Sequence, residues 1–110
     1  MIIPLGKIAV PVPGTPVSLT AAMPGGRVTP FHAILFEADP DNTGRLYVGR
    51  QAMDRTTRVG VMAVIAIPTV NFFPTFSVAV TILLNGFSSD EFWIDADIAG
   101  EGPIVTCLVT

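Results

Sequence analysis

The chain has 110 residues, of which 50% are hydrophobic and 14% charged, and its six basic and nine acidic side chains leave a net charge of −3. That length fits one domain with a real but not generous core. The acidic balance argues against nucleic acid as the main partner, because phosphate binding needs a basic face. One cysteine, Cys107, and one histidine, His32, exclude an internal disulfide and leave zinc implausible.

Small secreted domains often lean on disulfides, so this chain is expected to fold in a reducing compartment. Ordinary soluble domains carry about 25% charged residues. The shortfall points to apolar surface buried against partners, copies of the chain among them. The alternative is a tightly packed β-sandwich of small apolar side chains.

The first seven residues carry neither a basic n-region nor a long apolar h-region, so no signal peptide is read. Ile8, Val10 and Val12 then alternate with Lys7, Ala9 and Pro11. Pro4, Pro11, Pro13 and Pro16 confine residues 1–16 to an extended arm or an edge strand, because proline cannot donate to a sheet ladder. Residues 17–110 form the β domain. Val17 and Leu19 alternate with Ser18 and Thr20, and Met23-Pro24-Gly25-Gly26 is a turn.

Residues 31–38 and 45–50 are strong strands. Between them, Asp39-Pro40-Asp41-Asn42-Thr43-Gly44 places a turn former at every position, which predicts a β-hairpin. Residues 51–58 read as a polar loop, and 59–67, apolar on both faces, as a central strand. No charge occurs from Val59 to Ser89, long enough to cross a bilayer, but Pro68, Asn71, Pro74 and Asn85 interrupt the run. Two buried strands fit better than a membrane span.

In the second of these, Phe76, Val78, Val80, Ile82 and Leu84 alternate with smaller residues and should face the core. Asn85-Gly86 opens a turn region that runs to Asp90. Residues 92–97 are a strand with Phe92, Ile94 and Ala96 inward and Trp93, Asp95 and Asp97 outward. Gly100-Glu101-Gly102 turns the chain, and 104–109 returns. Helix signals are nearly absent. The expected fold is all-β, a single β-sandwich or jelly-roll-like barrel of about eight short strands with an extended N-terminal arm.

Chemistry-bearing sets are missing. His32, beside Phe31 in a strand, reads as a packing or surface residue, and Cys107, between Val105 and Val109, as a small buried hydrophobe. There is no nucleophile elbow, P-loop or dinucleotide fingerprint, so no enzyme is expected. Asp39, Asp41 and Thr43 match the first half of a calcium loop, but the twelfth position is Arg50, not the bidentate Glu. Asp95 and Asp97 begin a second partial match that Ala99 spoils. Plain Asx-rich turns are favoured over metal, and no cofactor is expected.

Trp93, outward beside carboxylates, is a contact-residue candidate or the cover of a hydrophobic rim. Arg50, Arg55 and Arg58 cluster in one loop, and Asp90, Glu91, Asp95, Asp97 and Glu101 cluster near the C-terminus. Opposite patches invite head-to-tail contact between copies, unless both are solvated loops. The interface candidates are therefore Arg50, Arg55, Arg58, Trp93, Asp95 and Asp97.

FHAILFEADPDNTGRLYVG at 31–49, FWIDADIAGEGPIV at 92–105 and GTPVSLT at 14–20 resemble small β-rich virion proteins of tailed bacteriophages. The resemblance spans most of the chain from Gly14 onward. It implies a capsid decoration or cement protein, made in the bacterial host cytoplasm and resident on the capsid surface of the virion. Its implied partners are the major capsid protein and copies of itself, a trimer above all, with neither nucleic acid nor membrane. A tail, fibre or host-binding β-module recognising a receptor or sugar is the alternative. On this reading residues 1–16 and the 51–58 loop touch capsid protein, apolar strand faces touch sister subunits, and removing residues 1–13 leaves the domain folded.

Overall fold

The computed structural model describes residues 1–39, 41–65 and 79–109. They form mostly strands, arranged in two antiparallel four-stranded sheets with little helix. The first sheet runs β1 (Ile2–Lys7), β8 (Pro103–Val109), β3 (Pro30–Ala38), β6 (Ala79–Ser88). The second runs β2 (Val17–Ser18), β7 (Trp93–Ala96), β4 (Leu46–Gly49), β5 (Val61–Ile65). Since β2 is only a two-residue pairing with β7, the described residues hold seven strands of any length.

Alternation puts one set of side chains from each sheet into a single apolar cluster. β3 contributes Phe31, Ile34 and Phe36, and β8 contributes Val105 and Cys107. Leu46 and Val48 of β4 and Ile94 and Ala96 of β7 join them from the other sheet. The inward residues read from the strand at 92–97 and from the C-terminal return are buried as expected, because a two-residue period is a local property of extended chain. No helix of the described residues is long and apolar enough to cross a membrane.

The predicted hairpin at 39–44 is corrected. β3 pairs with β6 and β8, and β4 with β5 and β7, so the segment connects the two sheets instead of joining neighbours. Both edges of each flanking strand are already occupied. The turn chemistry is used all the same: the Asp41 N–H donates to Asp39 Oδ1 at 3.0 Å and the Asn42 N–H to the Asp39 carbonyl at 2.9 Å. Asn42 is buried and its amide donates to the Gly102 carbonyl at 3.0 Å, which pins the crossing to the 100–102 corner.

Other expectations shift for similar reasons. Among the described residues β5 lies at the end of its sheet, where a central strand was expected, and Met62 within it is half exposed. The remainder of that predicted strand, residues 66–67, lies outside the described residues, as do Pro68, Asn71, Pro74, Phe76 and Val78. Asn85-Gly86 does not turn the chain but falls inside β6. Phe31 pairs with Phe87 and Ala33 with Leu83, so Leu84, Asn85 and Gly86 lie across from His32 alone. The tolerance of Asn and Gly for irregular backbone is used for a bulge.

The alternation at Val17 stops after Ser18, whose side chain accepts the Thr20 N–H at 3.1 Å and caps the short helix α1 (Leu19–Ala22). The N-terminal stretch is not free. β1 is an edge strand on β8, and beyond it the Ile8 and Val10 N–H groups donate to Pro103 and Glu101 carbonyls, both at 2.9 Å. Ile8 and Val10 belong to the core. Removing residues 1–13 would take a strand and part of the core with it, which corrects the expectation that the domain survives the deletion.

Candidate functional site

Four regions of the surface stand out, three of them holding residues singled out above. The first is the outer face of the β1-β8-β3-β6 sheet. On it, Ile2 pairs across to Leu108, Leu108 to Ala33, Thr106 to Leu35 and Ile104 to Glu37. Ile2 and Leu108 are exposed, while Ala33, Leu35, Ile104 and Thr106 are half-buried. A groove of about 180 Å³ runs over this face between Ile2, Ala33, Leu35, Thr106 and Leu108. Glu37 is the charged residue of the β3–β8 part. An antiparallel sheet with one solvated face normally alternates apolar and polar residues, and here both faces of the β3–β8 pair are largely apolar.

The second region joins the two charge clusters. Arg55 reaches Asp97 at 2.8 Å, and the Tyr47 hydroxyl donates to both Asp97 oxygens at 3.0 and 3.1 Å. The Arg58 guanidinium stands 5.2 Å over the Tyr47 ring. Burial first, and then the Asp97 carboxylate, push the Tyr47 phenol above its ordinary value. The loop is shaped by Asp54, whose Oδ1 accepts the Thr56 and Thr57 N–H groups at 2.8 and 3.2 Å; these bonds hold its carboxyl below the ordinary range.

Arg55, Arg58 and Asp97 thus meet within one chain. Patches expected to lie apart and invite contact between copies are in part consumed internally. Asp95 does not stand outward as expected. The alternation of β7 does place it with Trp93 and Asp97, but the loop at Gly14 and the 51–56 segment cover that face, and Asp95 is 1% exposed.

The third region is a cleft of about 240 Å³ whose walls include Arg50, Met62, Asp90, Glu91 and Trp93. Asp90 and Glu91 are also structural there. The Ser88 N–H donates to Glu91 at 3.0 Å and the Ser88 side chain accepts the Glu91 N–H, closing a capping box on the turn before β7, and the Ser88 hydroxyl also donates to Asp90. Trp93, half-buried, lines one side of the cleft.

At the 39–44 crossing, two side chains of the partial calcium motif, Asp39 and Thr43, are engaged by the chain itself. Asp39 pairs with Lys7 at 3.6 Å. The Thr43 N–H and hydroxyl and the Gly44 N–H converge on the Glu101 carboxylate at 2.7, 3.1 and 2.8 Å. Burial pushes the Glu101 carboxyl up, but those donors and Lys7 outweigh it and hold it below its ordinary value. The turn therefore presents N–H groups to an anion, the reverse of what a cation needs. Among the described residues no cluster of three or more His, Cys, Asp or Glu is arranged for a metal.

Tyr47 was not legible as a site residue, Asn42 was read only as a turn former, and Glu101 only as one of the C-terminal acidic cluster. The one available signal was composition: a lone tyrosine inside an apolar strand needs a partner for its hydroxyl. Cys107 is buried, and burial pushes its thiol up to about 11.

No family model, curated protein or solved structure matches the chain.

Proposed function

We propose that the chain is a structural virion protein that binds the outside of a bacteriophage capsid and stabilises it, associating with copies of itself. The observation that carries this reading is the outer face of the β1-β8-β3-β6 sheet, where Ile2, Ala33, Leu35, Ile104 and Leu108 offer apolar surface on a chain only 14% charged. A contiguous patch of this kind marks a surface to be covered. The phage likeness of the 31–49 and 92–105 stretches names the covering surface as a capsomer and neighbouring subunits.

We further infer that the two sheets stack as a β-sandwich, which the single core cluster drawn from both sheets supports. The role is non-catalytic. The buried Cys107, its thiol pushed up to about 11, is a poor nucleophile, in keeping with a binding role.

The test is co-sedimentation with undecorated capsids of the virus that encodes the chain, using wild type and Leu108→Lys. Wild type should saturate the capsids. The variant should bind at least about tenfold more weakly, as expected for a buried interface charge, with an unchanged melting temperature because Leu108 is exposed. A wild type that stays free, or a variant that binds equally, overturns the assignment.

A second reading, a fibre or host-binding module recognising sugar, is favoured by the Trp93 cleft, where an indole stands among Arg50, Asp90 and Glu91. Saccharides stack on aromatic faces and take hydrogen bonds from planar polar groups. Quenching of Trp93 fluorescence by host-surface glycans, abolished in Trp93→Ala, would favour this reading over the first.

A further inference from the structure

Strand pairing sets the outer side chains of β1, β8 and β3 in three rows across the sheet, because residues opposite each other on neighbouring strands share a face. Ile2, Leu108 and Ala33 make one row, Pro4, Thr106 and Leu35 the next, and Lys7, Ile104 and Glu37 the third. Each row is unequal on the two sides of β8. Exposed Ile2 stands across Leu108 from small Ala33, compact Pro4 across Thr106 from longer Leu35, and cationic Lys7 across Ile104 from anionic Glu37. The groove of about 180 Å³ opens beside Ala33, so one face carries both a projecting aliphatic side chain and a hollow.

We propose that this face packs on the same face of a second copy, around a two-fold axis that runs along β8 between the two sheets. Such an axis keeps each row on its own row and exchanges its ends. Ile2 of one copy enters the hollow at Ala33 of the other, Pro4 meets Leu35, and Lys7 meets Glu37. Leu108 meets Leu108 on the axis. An axis across the strands is the weaker match, since it would set the Lys7–Glu37 row on the Ile2–Leu108 row and bury charges against aliphatic side chains. A head-to-tail contact would leave one face open and continue into a fibre, whereas a two-fold contact closes.

The charges are available for this pairing. Among the described residues Glu37 is in no ion pair, and Lys7 is held by Asp39 at 3.6 Å with its side chain still 39% exposed. An ammonium carries three donors, so Lys7 can serve both carboxylates. The inference deepens the self-association in the proposed function and rests on that part of the reading, not on the capsid. Leu108→Lys would then weaken capsid binding by unpairing the chain, because two linked copies hold a surface more tightly than one.

The experiment is analytical ultracentrifugation of the full chain from about 1 μM to 1 mM, with melting temperatures measured in parallel. Three strands about 4.8 Å apart make a small contact, so wild type should pass from monomer to dimer within that range. Leu108→Lys sets two ammonium groups against each other on the axis and should raise the dissociation constant about tenfold or more. Lys7→Glu and Glu37→Lys should each weaken the pair several-fold. A one-to-one mixture of the two should restore it, because both contacts between copies are then Glu with Lys. Should Lys7→Glu not fold, Ile2→Asp, at an exposed position, is expected to weaken the pair about tenfold.

A wild type that stays monomeric throughout overturns the proposal, as does a trimer. So does a mixture that pairs no better than its components, or a Leu108→Lys that pairs like wild type. A chain that saturates capsids as a monomer overturns the pair and leaves the virion reading standing. A two-fold pair that binds no capsid counts against the virion reading alone.

Discussion

Replacing Glu101 by Gln tests the anion-centred account of the 39–44 crossing. Glu101 Oε2 receives the Thr43 N–H at 2.7 Å and the Thr43 hydroxyl at 3.1 Å, while Oε1 receives the Gly44 N–H at 2.8 Å. Gln can satisfy one side only, and its N–H₂ then faces a backbone donor on the other. A hydrogen bond to a charged group is worth about 1.5–3 kcal/mol when shielded. These are partly open to solvent, so discounting for screening leaves about 1–2 kcal/mol for the substitution. For a domain of this size that lowers the melting temperature by about 5–10 °C.

The pH dependence has a fixed sign. The folded Glu101 carboxyl lies below its ordinary value of 4.5. Its contribution is therefore fully present above that value and is lost as pH falls through the lower folded one. Wild type and Glu101→Gln should differ most at neutral pH and converge in acid, as followed by circular dichroism melts across the range. A variant that melts with wild type at neutral pH refutes the account, and so does a difference that persists unchanged in acid.

Gly102→Ala should cost about 3 kcal/mol or more, because a Cβ there lands on the Ile8 carbonyl where the N-terminal stretch is bonded to the 101–103 segment. Gly100→Ala, with open space but a φ of +82°, should cost only about 1–2 kcal/mol; urea midpoints of the pair separate contact from conformation. Native Cys107 should resist thiol reagents, being buried with its thiol pushed up to about 11, so labelling followed by mass spectrometry should track unfolding alone. Tyr47→Phe removes the hydroxyl bonds to Asp97 and should lower stability by about 0.5–1.5 kcal/mol, measured as a shift in urea midpoint. Millimolar calcium should leave the melting temperature unchanged, since the N–H groups of Thr43 and Gly44 already hold a carboxylate.

The sequence by itself determined the strand-rich character and, for β7 and β8, which apolar side chains turn inward. Phe92, Ile94 and Ala96, and Val105, Cys107 and Val109, are buried as their alternation says, because side-chain direction in an extended chain is set by the residue's own parity. The turn chemistry of 39–44 and 100–102 was legible for the same local reason. What those turns connect was decided only by the tertiary structure. The same residues serve a hairpin or a crossing between sheets, and the occupied edges of β3 and β4 select the crossing.

The candidate sites divide along the same line. Charge clusters at 50–58 and 90–101 were visible as composition, but the Arg55–Asp97 pair, the Tyr47 hydroxyl between them and the covering of Asp95 all depend on contacts between residues about 40 to 80 positions apart. Local spacing carries the period of a strand. It does not carry which distant loop will fold over that strand, since that depends on how the whole chain closes on its core.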